Sequence, residues 1–217
     1  MTDTVLFDMD GVILEGTGTD PEIYAAAADD AIEALGLEPT PAQRRALRRH
    51  AIEPVLEHAA DLGVDPDVFW ETKDEHASRR SHELLRAGER ALYDDVDAID
   101  ELAPEATLGL VSNNRHETVS FVATHFELPF AAVRGRPPTI DGSRRRKPDP
   151  HYLERTLAEL DADDGVYVGD RETDVRAARA VGLEAAYLRR SHNESAPLPD
   201  GTTYELRSLE ELVTILE

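Results

Sequence analysis

The chain has 217 residues, enough for one large domain or a core with a smaller insert. Its 23 Lys plus Arg stand against 45 Asp plus Glu, and the formal charge of −22 argues against nonspecific binding to nucleic acid or anionic lipid, which need a positive footprint. No run approaches the roughly 18 apolar residues of a membrane span, Asp3, Asp8 and Asp10 stand where a signal peptide carries positive charge, and the lack of cysteine excludes disulfides, thiolate metal sites and cysteine nucleophiles.

Thr4-Val5-Leu6-Phe7 reads as a short buried parallel strand, followed by Asp8-Met9-Asp10-Gly11. Residues 20–90 show no strand. Asp20-Pro21 and Thr40-Pro41 are helix starts, a capping residue before proline, and Gly36, Gly63 and Gly88 are stops. Pro54 breaks or restarts the second helix, and a helix over 66–87 repeats Trp70, Ala77 and Leu84 at intervals of seven. The chain returns to the sheet near Tyr93. A helix at 96–103 leads to a strand at 107–111, ending at Ser112-Asn113-Asn114. A helix at 115–126, a weaker strand at 130–133 and a helix at 149–160 follow. A strand at 165–168 then runs into Gly169-Asp170, with a helix at 172–181, a weaker strand at 184–188, a Pro-rich surface loop at 195–200 and a helix at 207–216. This alternation predicts an α/β fold, a Rossmann-like parallel sheet with helices on both faces. The core takes residues 1–18 and 91–217, and 19–90 form an all-α insert.

Polar residues follow three separate strands, the edge where open parallel sheets bind ligands. Asp8 and Asp10 cannot both ionise cheaply without a cation, and a hard oxygen-seeking ion such as Mg²⁺ would relieve them. The same pair also fits exposed loop aspartates in an Asp-rich chain. Asp170 and Asp174, one helical turn apart, add a second acidic pair, or else cap a helix. Lys147, in Arg144-Arg145-Arg146-Lys147-Pro148-Asp149-Pro150, is a compact ammonium among arginines. It suits phosphate and carboxylate neutralisation, or a solvated basic loop. Ser112 with the Asn113 amide can cup a phosphoryl oxygen, or form a turn.

Taken in order, Asp8-x-Asp10-Gly11, Ser112-Asn113, Lys147-Pro148 and Gly169-Asp170-x-x-x-Asp174 resemble the four motifs of the haloacid dehalogenase superfamily. The resemblance runs from 5 to 216 and points to the phosphatase branch, similar to phosphoglycolate phosphatase and β-phosphoglucomutase, with a helical cap inserted between the first and second motifs. It implies that Asp8 is the nucleophile and becomes an aspartyl phosphate. It implies that Asp10 is the general acid and then the base, its backbone carbonyl also a Mg²⁺ ligand. Asp8 and Asp170 would bind Mg²⁺ directly, and Asp174 directly or through water. Ser112 and Asn113 would hold phosphoryl oxygens, with Lys147 pairing with Asp8 and the phosphoryl group. Residues 19–90 would be the cap that closes over the site. The dehalogenase branch lacks an acid at the Asp10 position, so Asp10 favours phosphoryl chemistry.

The expected activity is Mg²⁺-dependent hydrolysis of a small phosphorylated metabolite, with no nucleic-acid or membrane partner. The alternatives are a phosphomutase of the β-phosphoglucomutase type and a phosphoaspartate signalling module. The 70-residue insert and the Asp8-x-Asp10 spacing argue against the module. In the insert, Arg44, Arg45, Arg48 and Arg49 form two i,i+4 pairs before His50. Arg45 and Arg49 are candidates to clamp a carboxylate or second phosphate; the competing reading is an exposed basic face balancing acidic neighbours. The eight histidines lack metal-ligand spacing, and Trp70 reads as core. Lysine occurs only at 73 and 147 beside 21 arginines. With the carboxylate excess this suggests a cytoplasmic protein of a high-salt organism, or an acidic mesophilic protein with arginine-biased codons. The oligomeric state is left open.

Overall fold

The computed structural model describes residues 4–216; Asp3 and the outermost residues of the expected core, 1–3 and 217, lie outside them. Strand β1 (Thr4–Phe7) precedes helices α1 (Pro21–Ala34), α2 (Pro41–Leu47), α3 (Ile52–His58) and α4 (Pro66–Arg86). There follow α5 (Ala98–Leu102), β2 (Thr107–Arg115), α6 (His116–His125), β3 (Ala132–Arg136), α7 (Ile140–Arg144) and α8 (His151–Leu160). The chain closes with β4 (Val166–Gly169), α9 (Glu172–Ala180), β5 (Glu184–Leu188), β6 (Tyr204–Leu206) and α10 (Leu209–Leu216). The chain divides into two compact units, one running to Gly18 and including Arg90–Arg136 and the chain from Arg145, the other comprising Thr19–Glu89 and Pro137–Arg144.

The first unit is a Rossmann-like α/β body whose six-stranded sheet has the order β3-β2-β1-β4-β5-β6, with every pair parallel. The central strand β1 pairs Phe7 with Leu110 on one side and Val168 on the other. All four of its residues are buried, and Val5, Leu6 and Phe7 form a continuous apolar run instead of alternating. Leu6 joins Leu153, Leu157, Val175 and Ala178 in one core cluster, which seats α8 and α9 on its face of the sheet.

Three strand expectations change. The strand expected at 130–133 runs instead over Ala132–Arg136. β2 does not stop at Val111 but continues to Arg115 with an irregular register, so Ser112 and Asn113 lie within the strand instead of after it. β6 has no apolar run; it is a three-residue edge strand in which only Leu206 is buried.

The helical unit is built on strong N-termini. The Asp20 carboxylate accepts from the Glu22 amide at 2.8 Å and Asp65 accepts from Asp67 at 2.8 Å. Thr40 and Gln43 form a reciprocal capping box. Pro54 sits in the first turn of α3, where its missing N–H breaks no intrahelical bond, so it restarts a helix. Small residues on α1 (Ala28, Ala31) pack with Ile32, Leu47, Val55, Phe69 and Trp70 in one cluster. On α4, Leu85 is buried and Leu84 only half-buried, so the seam follows the 3.6-residue period and not the expected interval of seven. Residues 137–144, expected in the core, belong to this unit. Ile140 enters its apolar cluster and the Ile140 amide donates to Asp67 Oδ1 at 3.1 Å. No helix among the described residues is long and apolar enough to cross a membrane.

Candidate active site

Because β1 lies between β2 and β4, the residues that follow it are set beside the C-terminal ends of both neighbours. This is the crevice position in open parallel sheets. The Asp8 amide extends the ladder, donating to the Val168 carbonyl at 2.9 Å. The turn then reverses at Gly11, whose φ of 82° lies in the left-handed region. A Cβ there would stand 2.2 Å from Asp170 Oδ2, so glycine is required both by the backbone and by the approach of that carboxylate. Likewise a Cβ on Gly169 would meet the Asp174 Cβ at 2.2 Å.

Asp8, Asp170 and Asp174 are all buried, and each offers an oxygen within 4.8 Å of the others. Lys147 is 5% exposed, which removes the solvated-loop reading. Its Nζ lies 3.0 Å from Asp8 Oδ1 and 2.7 Å from Asp174 Oδ1. One ammonium among three carboxylates leaves negative charge in a dry site, which is costly. Burial pushes Asp8 up to about 6; Lys147 partly offsets this, while Asp174 and Asp10 add to it. Burial, with repulsion from Asp8 and Asp174, pushes Asp170 up to about 8. Burial opposes the charge on Lys147, but Asp174 and Asp8 more than compensate and hold it above the ordinary lysine range. Asp170 Oδ1 is buried with no hydrogen-bond partner. Three converging buried carboxylates, one of them with an oxygen that has no hydrogen-bond partner, are the oxygen-rich donor set a hard divalent cation prefers, so these residues fit such an ion.

Asp174 also takes its blander role. Its Oδ2 accepts from the Arg171 amide at 3.0 Å at the start of α9, while Oδ1 faces Lys147. Asp10 has both oxygens engaged: Arg90 Nη2 donates to Oδ1 at 2.6 Å and Asn114 Nδ2 to Oδ2 at 2.9 Å. Its carboxylate is therefore fixed by two donors, and the acids that converge are Asp8, Asp170 and Asp174. Ser112 is buried, and its Oγ accepts from the Asn114 amide at 3.3 Å. The Asn113 side chain brackets the Lys147 backbone, accepting from its N–H at 2.7 Å and donating to its carbonyl at 3.2 Å.

Sequence reasoning missed Arg90, Asn114, Tyr167 and the side-chain role of Asn113. The Tyr167 hydroxyl accepts from Lys147 Nζ at 2.5 Å and donates to the Val111 carbonyl at 2.8 Å. Burial first, then the nearby aspartates, raises this phenol far above its usual range, so it stays a donor. A polar residue inside the apolar run 165–168 was the available signal.

In the helical unit the four arginines separate. Arg44 and Arg48 both pair with Asp29, the first at 2.8 Å. Arg45 and Arg49 have no acidic partner among the described residues, and with Arg48, His50 and Tyr24 they line a cavity of about 530 Å³. His50 stacks on Tyr24 with ring centroids 3.6 Å apart.

A family model for haloacid dehalogenase-like hydrolases matches residues 2–182. The chain belongs to the haloacid dehalogenase-like hydrolase family. Its curated relatives include the phosphoglycolate phosphatase of Cereibacter sphaeroides (strain ATCC 17029), 27% identical over 196 residues, 88% of this chain and 87% of that protein. That of Pseudomonas fluorescens (strain Pf0-1) is 24% identical over 210 residues, 90% and 72%. The class is that of phosphoric monoester hydrolases. Two solved structures share the fold: CbbY from Rhodobacter sphaeroides in complex with phosphate, at 22% identity, TM-score 0.65 and 98% and 96% coverage, and a phosphatase of the family from Thermococcus onnurineus, at 23%, 0.61, 99% and 97%.

Proposed function

We propose that this family member is a Mg²⁺-dependent phosphatase of a small phosphorylated metabolite that works through an aspartyl phosphate on Asp8. The observation that carries the reading is the buried cluster in which Lys147 bridges Asp8 and Asp174 beside Asp170. Asp8, Asp170 and Asp174 would hold the ion, which when bound supplies positive charge against the phosphoryl oxygens. The Asp8 carboxylate attacks phosphorus, and the phosphorus–oxygen bond to the leaving group breaks. Asp10 gives its proton to the departing alkoxide. Water then attacks the phosphorus of the aspartyl phosphate, Asp10 takes its proton, and Asp8 leaves as carboxylate. Ser112 and the Asn113 amide hold equatorial oxygens and Lys147 offsets their charge. Arg90 and Asn114 fix Asp10 from both sides.

Residues 19–90 are the proposed cap, and Arg45 with Arg49 its proposed contacts for a distal acid group. Their lack of acidic partners supports this, where Arg44 and Arg48 are tied to Asp29. Phosphoglycolate, after the relatives' names, is the first substrate to test.

The experiment is phosphate release from phosphoglycolate and a sugar-phosphate panel, with Mg²⁺ and with EDTA. Turnover is expected only with Mg²⁺ and is expected to vanish in Asp8→Asn. Arg49→Ala should lower kcat/KM for phosphoglycolate by roughly 30-fold while changing p-nitrophenyl phosphate little, since only the former carries the remote acid. Full activity in EDTA, or in Asp8→Asn free of deamidation, overturns the reading. Isomerisation of a sugar phosphate without net phosphate release makes the protein a phosphomutase.

A further inference from the structure

The loop after β5 carries a part of the site that no motif announces. Arg190 anchors it, donating from Nη1 and Nη2 to the two oxygens of Asp95 at 2.7 and 2.9 Å and from Nη2 to the Val12 carbonyl at 2.7 Å. Its guanidinium lies 3.9 Å from the centre of the Tyr93 ring. Asn193, buried, closes the loop: its Oδ1 accepts from the Arg190 amide at 2.7 Å, and its Nδ2 donates to the carbonyls of Asp170 at 2.8 Å and Leu188 at 2.9 Å. Between these two anchors stands His192, with Nε2 2.6 Å from Asp170 Oδ2. A Cβ on Gly11 would approach the His192 ring to 3.2 Å, so the glycine that admits Asp170 also admits the imidazole.

We propose that His192 is a positioning residue for the cation site, its Nε2–H fixing one oxygen of Asp170 so that the other is presented to the ion. The inference rests on the cation reading of the Asp8, Asp170 and Asp174 cluster. An ionised carboxylate can only accept, so the imidazole donates from Nε2. Asn193 holds the Asp170 backbone while His192 holds its side chain. The place of the carboxylate and its rotation are thereby set from one loop. Asp170 Oδ1, buried without a hydrogen-bond partner and with the Arg171 Nε 3.7 Å away, is the oxygen left over. Partners that fix a ligating carboxylate commonly carry 10- to 100-fold in metal affinity, roughly the effect expected here.

The test is calorimetric titration of Mg²⁺ into the substrate-free protein in KCl, for wild type, His192→Phe and His192→Gln. The Phe variant keeps a ring of similar size and loses the donor; the Gln variant keeps an amide donor. The Phe variant should bind Mg²⁺ at least about 10-fold more weakly and the Gln variant should recover most of the affinity. In turnover, the Phe variant should need more Mg²⁺ for half-maximal rate yet approach the wild-type kcat at saturation. If the Phe variant does not fold, His192→Ala, judged by circular dichroism, carries the same expectation. A folded donor-less variant with wild-type Mg²⁺ affinity overturns the proposal, as does equal weakening in the Phe and Gln variants. A wild-type protein that binds no Mg²⁺ overturns the cation reading itself.

Discussion

Asp170 carries a charge that its surroundings resist. Burial and the neighbouring Asp8 and Asp174 push it up to about 8 in the absence of a cation. Its ordinary value in the unfolded chain is near 4. Between those values the folded state binds the proton more tightly than the unfolded state. The linkage slope is therefore negative: metal-free stability falls as pH rises through that window, and the loss is complete above about pH 8. Asp170→Asn removes the titration. In EDTA the variant should be more stable than wild type at pH 8. Its advantage should shrink toward pH 4, by up to about 1.4 kcal/mol per pH unit. With saturating Mg²⁺ the order should reverse, because only the wild type gains ligand stabilisation. Urea unfolding across pH 5–8, with and without Mg²⁺, measures both signs; a variant advantage that is flat with pH would remove Asp170 from the buried acidic cluster.

At the scale of elements, what local pattern encodes is what could be read. Asp8 and Asp170 close apolar strands, so their sheet edge was visible, and Asp20, Thr40 and Asp65 mark helix starts by cap chemistry alone. β6, the continuation of β2 through Ser112 and the membership of Ile140 in the helical unit depend on partners distant in sequence. So do Arg90 on Asp10 and His192 on Asp170, 80 and 22 residues apart, for which no periodicity exists. Lys73 is another such case. A lysine facing the interior of α4 contradicts the helical pattern, yet its Nζ donates to the Leu47 carbonyl at 2.8 Å and the Arg49 carbonyl at 2.7 Å, holding the end of α2. Burial pushes it down to about 8, with Asp74 opposing. Lys73→Met would strand two carbonyls and should destabilise the unit by about 1–3 kcal/mol at pH 7. From about pH 8 to 10.5 the unfolded chain binds the extra proton, so the wild-type advantage over the variant should grow with pH in that interval. Denaturant titrations of the pair at pH 7 and pH 9.5 test the sign; an advantage that shrinks at pH 9.5 would contradict a desolvated lysine.

Across the whole molecule, 45 acidic against 23 basic residues leave a surface that repels itself. Some of the arginines are paired locally, as Arg44 and Arg48 on Asp29 and Arg80 on Asp30. Pairs of this exposed kind contribute little and weaken with salt. The repulsion among unpaired carboxylates weakens with salt too, and because acids outnumber bases about two to one, screening should favour the folded state on balance. The screening length falls from about 10 Å at 0.1 M to about 3 Å at 1 M, so most of the electrostatic gain should be complete by 1 M KCl. The unfolding midpoint should therefore rise steeply between 0.1 and 1 M KCl. A protein adapted to high salt should continue to gain above 1 M and keep its activity there, whereas an acidic mesophilic protein should level off. Thermal melts in KCl from 0.1 to 3 M, run in EDTA so that the Asp8, Asp170 and Asp174 site stays free of divalent ions, separate the two. A midpoint that falls between 0.1 and 1 M would mean that the arginine pairs outweigh the net repulsion.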